Sequence, residues 1–379
     1  MKKGMQFIRE YSIPLIAGVV IAVIWANLWP EGYHHFVHTP LFGSEDINFH
    51  FLISDIFMVF FFGTAGVEIV NSLAPGGPLN PIKKAVVPLM ATAGGVLGPV
   101  VVFFVLNAVM GAPEFANGWG IPTATDIALA WLVARLIFGK GHPAVSFLLL
   151  LAVADDAVGL FIIAIFYPDP TRPVEPVYLL LVLLAVVIAY FFGRFRVKSF
   201  WWYVLIPGVI AWFGMHTAGL HPALALVFIV PFMPRDVPDT EAETRQATLI
   251  EFEDRIGPFV DYGLICFGIS SAGVEFAEMS SLTWIIFLAL VVGKTFGVTL
   301  FSYLATLLSF HLPDNMHLKE VILAGCIAGM GLTVALFVAD NAYTDLAITG
   351  AAKMGALLTA SVALLAYLLS KLFRIQKID

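Results

Sequence analysis

The 379 residues are 60% hydrophobic and 12% charged, against about 25% charged in a soluble domain. So little polar surface excludes a water-soluble globule and leaves a chain whose outside faces the lipid bilayer. A net charge of −7 also excludes nucleic acid as a partner, because that partner calls for basic patches.

A helix crosses the hydrocarbon core with about 20 mostly apolar residues. By that criterion the chain predicts about twelve spans, at 12–30, 51–71, 86–110, 120–138, 143–167, 176–193, 200–214, 217–234, 257–277, 283–308, 319–339 and 345–373. The first is preceded by Lys2, Lys3 and Arg9 and ends in Trp29-Pro30, without the small-residue pattern of a cleavage site. It reads as an uncleaved span. The seventh and eighth spans are short, with their boundary placed near Met215-His216. The segment 235–255 is polar, rich in Glu and Arg, and divides eight spans from four. Cys266 and Cys326 fall inside apolar runs and read as small packing residues.

The basic residues alternate from side to side. Lys2, Lys3 and Arg9, then Lys83 and Lys84, Arg135 and Lys140, Arg194, Arg196 and Lys198, Arg235, Arg245 and Arg255, Lys319, and finally Lys371, Arg374 and Lys377 share one side. These are 17 of the 20 Lys and Arg, and the other side has Arg172 alone. The positive-inside rule then places both termini in the cytoplasm.

Ionisable groups within a bilayer cost roughly 2.5–3.5 kcal/mol each on insertion scales, so each calls for a reason. Asp55, Glu68 and Lys353 lie near expected span ends, where snorkelling and water relieve the cost. Asp126, Asp155, Asp156 and Lys294 have apolar sequence on both sides. Adjacent helical residues point about 100° apart, so one of Asp155 and Asp156 can face a cavity while the other turns to a neighbouring helix. Lys294 is the deep cation available to answer them. A structural ion pair is the plain alternative, but ionisable groups at this depth mark transport sites by default.

Asp126 sits in Gly118-Trp119-Gly120-Ile121-Pro122-Thr123-Ala124-Thr125-Asp126, which suits an unwound stretch better than a continuous helix. Gly325-Cys326-Ile327-Ala328-Gly329-Met330-Gly331-Leu332-Thr333 is the matching weak point of the eleventh span. Glycines can simply allow close helix packing. Two interrupted spans, each in the middle of a group of three and in oppositely oriented groups, instead form the pattern of an inverted repeat. The expected fold is an all-α polytopic membrane protein with inverted repeats and two unwound, crossing helices. Its core bundle would be 86–167 and 283–373, with 12–71 and 176–277 as interface helices in one transporter domain, 1–379. Asp126 is placed to offset the positive half-helix ends and Lys294 the negative ones.

At these residues the chain resembles the NhaA family of Na⁺/H⁺ antiporters, a standard example of inverted-repeat transporters. The motifs are Gly-Trp-Gly-Ile-Pro-Thr-Ala-Thr-Asp-Ile-Ala (118–128), Ala-Asp-Asp-x-x-Gly (154–159), Ile-Phe-Tyr (165–167) and Gly-Lys-x-x-Gly (293–297). Gly66-Val67-Glu68 and Ser271-Ala272-Gly273-Val274 fit as well, and the match runs from the first span to the last. The resemblance implies Asp156 as the main cation ligand, with Asp155 helping and pairing with Lys294 when no ion is bound. It implies that Thr125 and Asp126 line the unwound segment, that His221 takes part in a pH response, and that Glu68 and Glu253 belong to a cytoplasmic funnel. It implies Na⁺ or Li⁺ and H⁺ as transported ions, no cofactor, an inner-membrane location, a homodimer and a place in pH homeostasis. Two departures bear on this. Ile69-Val70-Asn71-Ser72 stands where the family carries further charges that serve pH regulation, and 31–50 is shorter than the family's dimerising hairpin.

The expected mechanism is electrogenic exchange, with Na⁺ and protons competing for the same buried carboxylates. A Na⁺-coupled symporter of an organic anion is the alternative, but it would need a spare intramembrane cation to hold the anion. An intramembrane aspartyl protease would use Asp126 and Asp155. The lysine between them argues against a shared-proton dyad, and there is no His-Glu-x-x-His zinc motif, so no enzyme is expected.

Overall fold

The computed structural model describes residues 12–41, 43, 47–80, 82–169, 172–236, 247–313 and 316–378. Lys2, Lys3, Arg9 and Arg245 lie outside these residues, as do the side chains of Lys83 and Lys84. The regular elements among the described residues are helices. They run α1 (Ile13–Leu28), α2 (Pro30–His38), α3 (Phe49–Leu73), α4 (Ile82–Met110), α5 (Pro113–Thr123), α6 (Ile127–Phe138), α7 (Pro143–Phe166) and α8 (Pro176–Arg194). The series continues with α9 (200–217), α10 (Pro222–Phe232), α11 (Thr248–Ser271), α12 (Ser281–Leu307), α13 (Leu318–Ala328), α14 (Thr333–Ala342) and α15 (Leu346–Leu372).

Helices stand at all twelve expected places. Six of them (α3, α4, α7, α8, α12 and α15) are long and apolar enough to cross a membrane, and α5 with α6 and α13 with α14 qualify as bent pairs. Helices α1 and α10 are apolar but shorter. Helix α9 is widened at Val204–Gly208 around Pro207, and α11 carries Glu251, Glu253, Asp254, Arg255 and Asp261 along its length.

Three expected boundaries move. The ninth span begins at Thr248 rather than near 257, because the charged stretch is itself helical and Arg255 pairs with Glu251 one turn back at 3.0 Å. The fourth begins at Pro113, in tight 3-10 winding through Thr123, rather than near 120. The break between the seventh and eighth falls at 218–221, where Gly219 takes the left-handed φ of 73° that its missing side chain permits.

Lipid-facing surface is plain on α8, where Ala185 and Ala189 are buried while Leu180, Leu183, Leu184 and Tyr190 are exposed. At the centre, α4 lies along the second half of α12, and α1 lies along α11. Lipid tails are as apolar as leucine, so helices associate in a bilayer through close backbone packing of small residues. A Cβ at Gly98 would stand 2.3 Å from the carbonyl oxygen of Gly293, and one at Gly297 would stand 1.9 Å from that of Gly94. This contact holds the helix bearing Lys294 against its neighbour. Gly98→Val must push α4 and α12 apart, and overpacking of this kind costs about 1–3 kcal/mol. The detergent-solubilised variant should melt several degrees below the parent; an unchanged melting temperature would show that the contact does not matter.

Candidate ion-binding site

The two weak points in the sequence are the two breaks in the fold. Helices α5 and α6 are separated by residues 124–126 and bent by 56°, and α13 and α14 are separated by 329–332 and bent by 50°. Each break frees backbone groups that a membrane interior cannot leave unpaired. They satisfy one another. The Asp126 backbone N–H donates to the Met330 carbonyl at 2.7 Å, and the Thr125 hydroxyl lies 2.9 Å from the Ala328 carbonyl. Tyr167 braces the first break from outside it. Its hydroxyl accepts from the Gly120 N–H at 2.6 Å and donates to the Asn117 carbonyl at 2.7 Å.

Asp126 caps α6, its Oδ1 accepting from the Leu129 N–H at 3.0 Å. Its Oδ2 accepts from the Thr333 hydroxyl at 3.0 Å and the Thr333 N–H at 3.3 Å, at the first residue of α14. One carboxylate therefore spans two helix starts, where the positive ends of the helix dipoles meet.

Lys294 follows a widened turn of α12, Ala289–Gly293, and is fully buried. Its ammonium lies 2.6 Å from Asp155 Oδ2 and 2.5 Å from Thr125 Oγ1, and that hydroxyl lies 2.8 Å from the same carboxylate oxygen. Here one expectation is corrected. Lys294 reaches the negative end of α13 only through Thr125, because the full charge of Asp155 outcompetes the half-charge of a helix terminus.

Asp156 points the other way. It lines a cavity of about 160 Å³ together with Thr125, Asp126, Thr333, Glu68 and Asp261. Its Oδ1 is buried and accepts no hydrogen bond. The adjacent pair thus divides as helix geometry requires, with one carboxylate tied to the lysine and its neighbour facing the cavity.

Of the remaining candidates, Glu253 lies at the end of the bundle where α3 finishes and is joined to it by the Asn71 amide, which donates to its Oε2 at 3.3 Å. His221 is not at the cavity. Its Nε2 is 2.5 Å from Asn341 Oδ1, and its ring packs on Phe337 with centroids 4.6 Å apart. Lys353 does not snorkel from a span end as expected. It pairs with Asp340 of α14, its side chain only 11% exposed. Asp340 lies one residue beyond the expected end of the eleventh span, because α14 runs on to Ala342. Thr333 and Asp261 also join the site without having been singled out. Thr333 lies in the weak segment 325–333, and Asp261 lies within the expected ninth span, 257–277. Among the described residues no group of three or more His, Cys, Asp or Glu side chains is set to hold a metal ion in the manner of a resident cofactor.

Two broken helices that cross within the bundle, with a buried ion pair beside the crossing and the Asp156 carboxylate facing a cavity, have the architecture of a secondary transporter. The chain belongs to the Na⁺/H⁺ antiporter 1 family, whose model matches residues 5–370. It is 55% identical to the Na⁺/H⁺ antiporter NhaA of Desulfitobacterium hafniense, over 100% of this chain and 98% of that protein. It is 53% identical to the Na⁺/H⁺ antiporter NhaA of Geobacter sulfurreducens over the whole of both. Among solved structures, the sodium proton antiporter MjNhaP1 from Methanocaldococcus jannaschii shares the fold with a TM-score of 0.51 and 13% identity, covering 95% of this chain and 97% of that one.

Removing one partner of a buried ion pair strands the other charge, at a cost of about 3–5 kcal/mol. Lys294→Met should therefore lower the melting temperature in detergent sharply, and adding Asp155→Leu should restore most of it. A single variant as stable as the parent would contradict the pairing.

Proposed function

We propose that this protein is a secondary active transporter that exchanges Na⁺ or Li⁺ for H⁺ across the cytoplasmic membrane. The observation that carries the reading is the Asp156 carboxylate, which faces the cavity with a buried oxygen that no protein group satisfies. A carboxylate withdrawn from water needs a proton or a cation to neutralise it. A hard monovalent cation prefers oxygen ligands, and the cavity offers them in Asp156, Thr125, Asp126 and Thr333. Proton and Na⁺ then occupy the same oxygens in turn, and competition with access from one side at a time is enough for exchange.

Asp155 and Lys294 supply the second proton-binding partner. When Na⁺ attracts Asp155 toward Asp156, the 2.6 Å pair loosens, and one proton is displaced from Asp156 and a second from the Asp155–Lys294 pair. More positive charge then leaves with protons than arrives with Na⁺, so the exchange is electrogenic, and protons entering drive Na⁺ out.

The distribution of basic residues supports cytoplasmic termini, which makes the Asp156 cavity, with Glu68 on its wall and Glu253 beyond it, an inward-facing funnel. His221 would act on pH response through α14, since its bond to Asn341 is to that half-helix. The core of the transporter is 86–167 and 283–373, the helices that bear the two breaks, with 12–71 and 176–277 as the panel through which a homodimer would form. The organic-anion symporter is disfavoured by the placing of the cations, because Lys294 and Lys353 are each engaged by an aspartate.

In proteoliposomes loaded with a pH-sensitive dye, Asp156→Asn should abolish Na⁺-driven proton movement while leaving the protein folded. Near-normal exchange in that variant would refute the assignment.

A further inference from the structure

A second polar cavity, of about 170 Å³, opens at the opposite end of the bundle, among Tyr33, His38, His50, Glu278, Asp340 and Lys353. Against its wall lies the Asp340–Lys353 pair, with side chains 13% and 11% exposed. The other oxygen of Asp340, Oδ2, is buried and has no hydrogen-bond partner. The three histidines that line the cavity have other surroundings, His34 lying 3.5 Å from Glu275 Oε1. His50 is held between Ser270 Oγ at 3.1 Å and Ser54 Oγ at 3.3 Å, and burial lowers the pKa of His38 from its ordinary value, which disfavours its cationic form. Lys353 is therefore the cation that answers Asp340.

The position of this pair links it to the ion site. Both cavities end on one half-helix: Thr333, at the start of α14, lines the first, and Asp340, in its last turn, lines the second. Seven residues at 1.5 Å each set them about 10 Å apart. Between them Val334, Ala335, Leu336, Phe337, Val338 and Ala339 are all at most 7% exposed, and Phe337 is wedged against Phe62 and His221. In this conformation, then, α14 separates two polar cavities with an apolar layer. On each side of that layer a lysine ammonium occupies an aspartate: Lys294 on Asp155, and Lys353 on Asp340.

Resting on the exchange reading above, we propose that Asp340 is a second cation-binding carboxylate, on the outer route, and that Lys353 is a tethered stand-in for the transported ion. Na⁺ that enters or leaves through the outer cavity displaces the ammonium from Asp340. The lysine's return seals the last turn of α14 against α15. The cavity offers the oxygen ligands a hard cation requires in Asp340, Glu278 and Thr349. A purely structural pair would leave unexplained why an aspartate oxygen is kept unpartnered against a polar cavity.

The test is sided. In proteoliposomes of uniform orientation, the Na⁺ concentration for half-maximal exchange is measured with Na⁺ presented at the outer face and, separately, at the inner face. Asp340→Asn should raise the outer value about tenfold, the equivalent of one lost charged ligand, and leave the inner value within about twofold. Lys353→Gln should shift the outer value the opposite way, because the competing ammonium is gone, and it keeps the test open if Asp340→Asn folds poorly. Shifts that are equal at the two faces, or absent in both variants, would make the pair structural and overturn the inference while leaving the exchange reading intact. Parent vesicles that move neither ion would sink both.

Discussion

Everything in this protein turns on the cost of a charge withdrawn from water. The membrane interior offers no solvent, so each buried ionisable group has to be answered by a helix end, an opposite charge or a transported ion. Asp126 is answered by two helix starts, Asp155 by Lys294, and Asp340 by Lys353. Asp156 has neither a lysine nor a helix start as partner, and its side chain faces a cavity, which is why the proposed function assigns it the transported cation or proton.

The crossing of the two broken helices is what makes this arrangement possible. Continuous helices would satisfy their own backbone and have no polar ends at this depth. Breaking them at 124–126 and 329–332 brings helix starts together, and Asp126 and the Asp126–Met330 backbone bond then lock the two breaks to each other. Because Thr125 touches both the lysine and the end of α13, a change in the charge of the Asp155–Lys294 pair is felt directly at the crossing. The same α14 that begins at this crossing carries Asp340 in its last turn, so one half-helix borders both cavities.

Much of this was legible in the sequence. Span positions followed from apolar run length, and the breaks followed from Gly, Pro and Thr clusters in otherwise apolar runs. That Asp155 and Asp156 must face different ways followed from the 100° step between neighbours. Which of the two would face the cavity did not follow from spacing, since that depends on how α7 is rotated against its neighbours, and only the family resemblance chose Asp156. Span ends were the weakest reading. Ending the eleventh span at 339 left Asp340 outside it, and treating 235–255 as a loop hid the helical start of α11; Asp261 lies inside the expected ninth span, and its approach to the cavity depends on how α11 packs against α1 and α3. The role given to Lys294 was half legible: its depth was evident, but the choice between a helix end and an aspartate needed the tertiary packing of α12 on α4 and α13.

The central claim is that a proton and a metal ion exclude one another at one buried carboxylate. The direct measurement is the Na⁺ concentration for half-maximal exchange as a function of pH. Competition at this carboxylate predicts that this concentration rises by at least about tenfold for each unit of acidification across the range in which the site is protonated, and more steeply where a second proton is displaced with the first. A value that stays flat as pH falls would mean that Na⁺ and H⁺ bind independently, and the account would fail at its root.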